Sequence, residues 1–127
     1  MKKILLIFFL FPTLLWSQKS SIIKGFVKDS DNNSIENVSV WMTHIGGYPN
    51  KYNQRIREDI TKNTPKIFIS GHSHILKVQF DKKLNLLHLN PGAAGNHGFH
   101  KIRTMLRFQL EKGDIKNLEI IELAKRG

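Results

Sequence analysis

Gly71-His72-Ser73-His74 follows directly on the apolar run Lys66-Ile67-Phe68-Ile69-Ser70. Two imidazoles one residue apart, where a buried strand breaks into a loop, suit metal coordination. Histidine is the commonest metal ligand, and a rigid strand end fixes the direction of its ring. His44, in Met42-Thr43-His44-Ile45-Gly46-Gly47, ends another short apolar run earlier in the chain. No Asp-x-His, Gly-Asp or Gly-Asn-His element precedes these residues, so the histidines read as one part of a metal site. The acids are Asp29, Asp31, Glu36, Glu58, Asp59, Asp81, Glu111, Asp114, Glu119 and Glu122. Each has an ordinary place in a turn, on a helix face or on a strand face. Asp29-Ser30-Asp31 in particular belongs to a run of six polar turn formers.

The elements that must hold the histidines follow from patterning. Gly46-Gly47-Tyr48-Pro49 reads as a loop, and Asn50 as the N-cap of a helix in which Tyr52, Ile56 and Ile60 recur at i, i+4 and i+8. Arg55, Arg57, Glu58 and Asp59 form its wet face, and Asn63-Thr64-Pro65 ends it. Lys66 to Ser70 is then a buried strand. Leu76, Val78 and Phe80 alternate with Lys77 and Gln79 as a half-buried strand, and Asp81-Lys82-Lys83 turns it into Leu84 to Leu89. A tight loop of small residues, Asn90-Pro91-Gly92-Ala93-Ala94-Gly95, leads to strands near Thr104 to Glu111 and Ile115 to Leu123, joined at Lys112-Gly113-Asp114. The order is strand, helix, strand, then an antiparallel meander of four strands. His88 falls within a strand and reads as packing. His97 and His100, just past the small-residue loop, read equally as lining a substrate pocket or as exposed loop residues, and Arg103 as a candidate contact to a phosphate from the same side.

With 127 residues the chain has room for one small domain, and without cysteine it has neither disulfides nor thiolate metal sites. The formal net charge of +10 favours anionic partners. The basic residues are scattered, with no aromatic-interleaved patch, which disfavours nucleic acid as the partner.

Met1-Lys2-Lys3, the twelve-residue apolar stretch Ile4 to Leu15 and Ser17 read as a secretory signal peptide over residues 1–17. The stretch is short of the roughly twenty residues that span a bilayer, so no transmembrane span remains once it is removed. The expected location is therefore exported, periplasmic or associated with the outer membrane. Residues 18–40 read as a β-hairpin, Ile22 to Lys28 returning as Ile35 to Val40. On Ile23, Gly25, Val27 and Asp29, and on Ile35-Glu36-Asn37-Val38-Ser39-Val40, it resembles the start of a carboxypeptidase-regulatory-like domain.

Residues 41–127 resemble the C-terminal half of a calcineurin-like metallophosphoesterase of the small bacterial and archaeal phosphodiesterase type. The matching elements are Thr43-His44-Ile45-Gly46-Gly47, Gly71-His72-Ser73-His74 and Asn90-Pro91-Gly92, in order and at the right separations. The resemblance implies an α/β fold, part of a four-layer β-sandwich, and two divalent metals (Mn, Zn, Fe or Ni) held at strand ends. It implies that His44 and His72 bind one metal and His74 the other, with the Asn90-Pro91-Gly92 loop as the floor of the site. It also implies a phosphate-ester substrate and, for a family member without a leader, a cytoplasmic location.

The family's Asp-x-His, bridging Asp and Asn ligands have no counterpart here. Since a carboxylate must offset the repulsion between two close cations, the expectation is a truncated, chimeric phosphoesterase with an incomplete ligand set. An exported, non-catalytic binding or interaction module that keeps the fold is the alternative expectation, and pairing of exposed sheet edges into a homodimer a third.

Overall fold

The structure, a computed structural model, describes residues 38–111 and 113–125. The expected leader (1–17) and residues 18–37 of the expected hairpin lie outside the described residues. The α/β architecture is present: one helix and three sheets among the described residues, with the histidine-bearing loops at the ends of parallel strands.

β1 (Val40–Thr43) enters the main sheet and is followed by a miniature hairpin, β2 (Gly47–Tyr48) and β3 (Lys51–Tyr52). The helix α1 spans Gln54–Lys62. It starts three residues later than expected because Asn50 takes a left-handed conformation (φ 71°) at the hairpin turn. Asn53 caps the helix instead, its side chain accepting from Arg55 N at 2.9 Å. Tyr52 is consequently a strand residue.

β4 (Ile67–Ser70), β5 (Leu76–Asp81) and β6 (Leu86–Pro91) complete the main sheet in the order β1-β4-β6-β5. β1, β4 and β6 run parallel, and β5 is an antiparallel edge. The expected meander of four strands is therefore divided. β6 inserts between β4 and β5, since its Leu86, His88, Leu89 and Asn90 are all buried, as a central strand requires. β7 (Ile102–Glu111) and β8 (Asp114–Lys125) pair only with each other among the described residues, in a long antiparallel ribbon. The ribbon is fastened beside β6 by Thr104, whose N–H donates to Ala93 O at 2.9 Å and whose hydroxyl donates to Pro91 O at 2.8 Å.

The register sorts side chains onto two faces. Trp41, Phe68 and His88 share one face, against which α1 packs Ile56 and Ile60 around a core of Tyr52, Phe68 and Leu86. Met42, Ile69, Leu89 and Val78 share the other. On the edge strand the expected burial is inverted. Val78 and Phe80 are exposed, whereas Lys77 and Gln79 are half-buried on the face that carries His88 and Asn90. Alternation alone identifies two faces and not which of them α1 will cover.

Candidate metal centre and adjoining pocket

The parallel pairing of β1 with β4 brings their C-terminal ends together, Thr43 opposite Ser70. The loops that follow are fastened by a backbone hydrogen bond, Gly71 N to His44 O at 3.1 Å. His44 Nε2 then stands 3.2 Å from His72 Nδ1, with the rings edge to face and 5.0 Å between centroids. Two nitrogens bound to one tetrahedral cation at 2.0–2.1 Å would be about 3.3 Å apart. Both histidines are exposed and thus open to a ligand.

The His-x-His loop is held tightly. Ser73 N donates to Gly71 O at 2.8 Å, and His72 and His74 both adopt left-handed backbone angles (φ 67° and 56°). The buried Asn90 grips both sides of His72, its amide donating to Gly71 O at 3.3 Å and Ser73 Oγ at 3.1 Å. Its oxygen accepts Gly92 N at 3.1 Å. The floor expected of the Asn90-Pro91-Gly92 segment is thus a network on Asn90, at the end of β6 rather than in a loop.

His74 pairs with a different ring, lying edge to face against His100 at 5.4 Å between centroids. His100 Nε2 donates to Gly95 O at 2.8 Å, and its Nδ1 is buried without a hydrogen-bond partner among the described residues. Gly98, at φ 127°, keeps the space beside these rings open, since a Cβ there would collide with His74 Nδ1. Arg103 lies on β7 with its Nε buried and unpaired, and His97 is exposed.

His88, fully buried, stands behind the site. Ser70 Oγ, which donates to Gly47 O at 2.9 Å, accepts from His88 Nε2 at 2.9 Å. Burial, reinforced by the nearby Lys77 charge, pushes the His88 imidazole down to about 4, so it is neutral at pH 7.

The sequence reading missed a cavity of about 300 Å³ between the two loops, lined by His72, Ser73, Asn90, Tyr48, Lys51 and Lys77 among others. His97, His100 and Arg103 are not among its lining residues. The signal that could have located it is the pairing of β2 and β3, which folds Tyr48 and Lys51 back toward the histidine loops.

Three histidines therefore occupy adjacent loops, two of them with ring nitrogens within hydrogen-bond distance of each other. Among the described residues, no group of three or more His, Cys, Asp or Glu side chains converges on one point suited to a metal. The residues present fit the edge of a coordination sphere and not a closed one.

The family model of the calcineurin-like phosphoesterase superfamily domain matches residues 16–113, and the chain belongs to that superfamily. Members of that superfamily are generally metal-dependent. Among solved structures, vacuolar protein sorting 29 from Cryptosporidium parvum is similar over 55% of this chain, at 20% identity and a TM-score of 0.30. The similarity spans 43% of that protein's own length. No curated protein matches the chain. No helix among the described residues is long and apolar enough to cross a membrane.

Proposed function

We propose that the chain is a metal-dependent phosphoesterase of the phosphodiesterase type, with His44 and His72 on one divalent cation and His74 at a second. The observation that carries this reading is the 3.2 Å separation of His44 Nε2 and His72 Nδ1, on two loops that a backbone hydrogen bond fastens together. A divalent cation, manganese, zinc, iron or nickel, would polarise a phosphoryl oxygen and activate water at neutral pH. Held there, the cation would supply the Lewis acid for hydrolysis of a phosphate ester, in which the alcohol would leave with a proton taken from the water. The chain's own contribution is positional: Asn90 sets the loop that carries His72, and Gly98 leaves room for His74. Export by the Lys2-Lys3 leader and its apolar stretch belongs to the same reading, and cleavage after Ser17 in an expressed chain tests it.

Metal content after purification, with hydrolysis of bis(4-nitrophenyl) phosphate in added manganese, tests the activity. Bound metal, and turnover abolished by His72→Ala, support the enzyme; a metal-free, inactive protein overturns it.

The want of a third ligand among the described residues favours a second reading, a non-catalytic module that keeps the fold. It expects no metal under the same conditions. Pairing of sheet edges between two copies belongs to this second reading, and sedimentation at two concentrations tests it.

A further inference from the structure

The cavity beside His72 is chemically one-sided. Lys51, Lys77, His72 and Asn90 line it, and among the described residues no Asp or Glu does. Lys77 is half-buried, and its Nζ lies 3.9 Å from the centroid of the Tyr48 ring. A cation over a ring face is fixed in place at little cost in solvation, and keeps its unshielded side for an anion. Lys51 reaches the same cavity from the other strand of the miniature hairpin. Ile45 and Ile75, 47% and 61% exposed, supply apolar surface in the same lining. Gly47 (φ 72°) lets the two strands of the hairpin that carries Tyr48 and Lys51 approach closely, since a Cβ there would strike the Lys51 carbonyl. A volume of about 300 Å³ is at the small end of ligand pockets, enough for one ring with a charged substituent.

Resting on the phosphoesterase reading, we propose that this cavity is the leaving-group subsite and selects phosphate esters whose leaving alcohol carries a second anionic group. The phosphoryl group lies at the His72 end. The leaving alcohol extends past Tyr48, and its second negative charge meets Lys77 and Lys51. A low-dielectric wall built from Tyr48, Ile45 and Ile75 strengthens that attraction over what two surface lysines would give in water. Lys77 and Lys51 are thus specificity residues.

A matched pair of phosphodiesters tests this, methyl phenyl phosphate and methyl 4-carboxyphenyl phosphate, which differ by one carboxylate. The manganese-loaded protein is expected to show a KM about fivefold lower for the carboxylated diester. Lys77→Gln together with Lys51→Ala brings the ratio near one. Calorimetric titration of the same two diesters into the protein as isolated reads the subsite without turnover. If neither diester is hydrolysed, the enzymatic reading fails, and the titration still decides the subsite. A carboxylate preference that the lysine variants abolish supports it. Equal binding of the two diesters, or a preference the variants leave intact, overturns it. Thermal melting of each variant confirms that the fold is retained.

Discussion

The Tyr52 hydroxyl donates to Asp81 Oδ2 at 2.7 Å, joining the strand that leads into α1 to the last residue of the edge strand β5. The pair sits at the junction of helix and sheet, and both partners are buried. Burial opposes ionisation of Asp81. The Tyr52 hydroxyl and the backbone N–H groups of Leu84 and Lys83 outweigh it, holding the carboxyl below its usual range. The Tyr52 phenol is pushed upward by burial and by the same carboxylate. Tyr52→Phe leaves the ring in place and removes one donor from a buried charge. A loss of about 1–2 kcal/mol in urea unfolding is expected. Because the folded carboxyl has the lower pKa, its contribution is present at neutral pH and is lost as pH falls below about 4. Tyr52→Phe reduces that acid-dependent part, which paired melts at pH 6 and pH 3 detect.

His88 acts in a separate window. Its folded pKa of about 4 lies below the ordinary 6.5, so the unfolded chain binds the proton first. Stability is therefore full above about 6.5 and declines as pH falls toward about 4. His88→Gln, which retains a donor toward Ser70 and cannot take up a proton, flattens the profile between pH 7 and pH 5. Denaturation midpoints at those two values measure it, and an unchanged slope in the variant would contradict the assignment to His88.

Asn90 touches neither His72 nor His44 through its side-chain hydrogen bonds, and yet it sets the loop between the two histidine-bearing segments. Asn90→Ala frees Gly71 O and Ser73 Oγ. Metal affinity read by titration with manganese is expected to fall about 10–100-fold, as when a ligand loses its outer support. His88→Gln serves as the comparison and leaves affinity within about threefold.

Gly98→Ala places a methyl group against His74 and demands a backbone angle that alanine disfavours. The expected result is displacement of the His74 ring with His44 and His72 undisturbed. In histidine NMR spectra the resonances of His74 and His100 shift, whereas those of His44 and His72 stay within the linewidth.

The loop positions of His44, His72 and His74 were legible because strand ends and small-residue loops leave strong local marks: Ile67 to Ser70 before Gly71, and Gly46-Gly47 after His44. The helix was legible as a periodicity, but not its first residue. Asn50 and Asn53 both have capping side chains, and only the β2–β3 pairing decides between them. The buried face of β5 was not legible, for a non-local reason. The pattern of Val78 and Phe80 defines a face, and the position of α1 decides which face is wet. The place of β6 between β4 and β5 is likewise invisible locally, since strand order is a matter of long-range pairing. Packing was the correct expectation for His88, and the pairing of His74 with His100 lies across a loop that sequence spacing does not resolve.

Two of the three proposed ligands hold backbone angles that most side chains avoid, His72 at φ 67° and His74 at φ 56°. Each such residue costs on the order of 1 kcal/mol relative to glycine in the same conformation. The loop is thus a place where chemistry and folding pull in opposite directions. His72→Gly is expected to raise the melting temperature while it removes an imidazole. In evolutionary terms, a lineage released from any need for these rings would gain stability from glycine at either position, the residue that takes a left-handed backbone without steric cost.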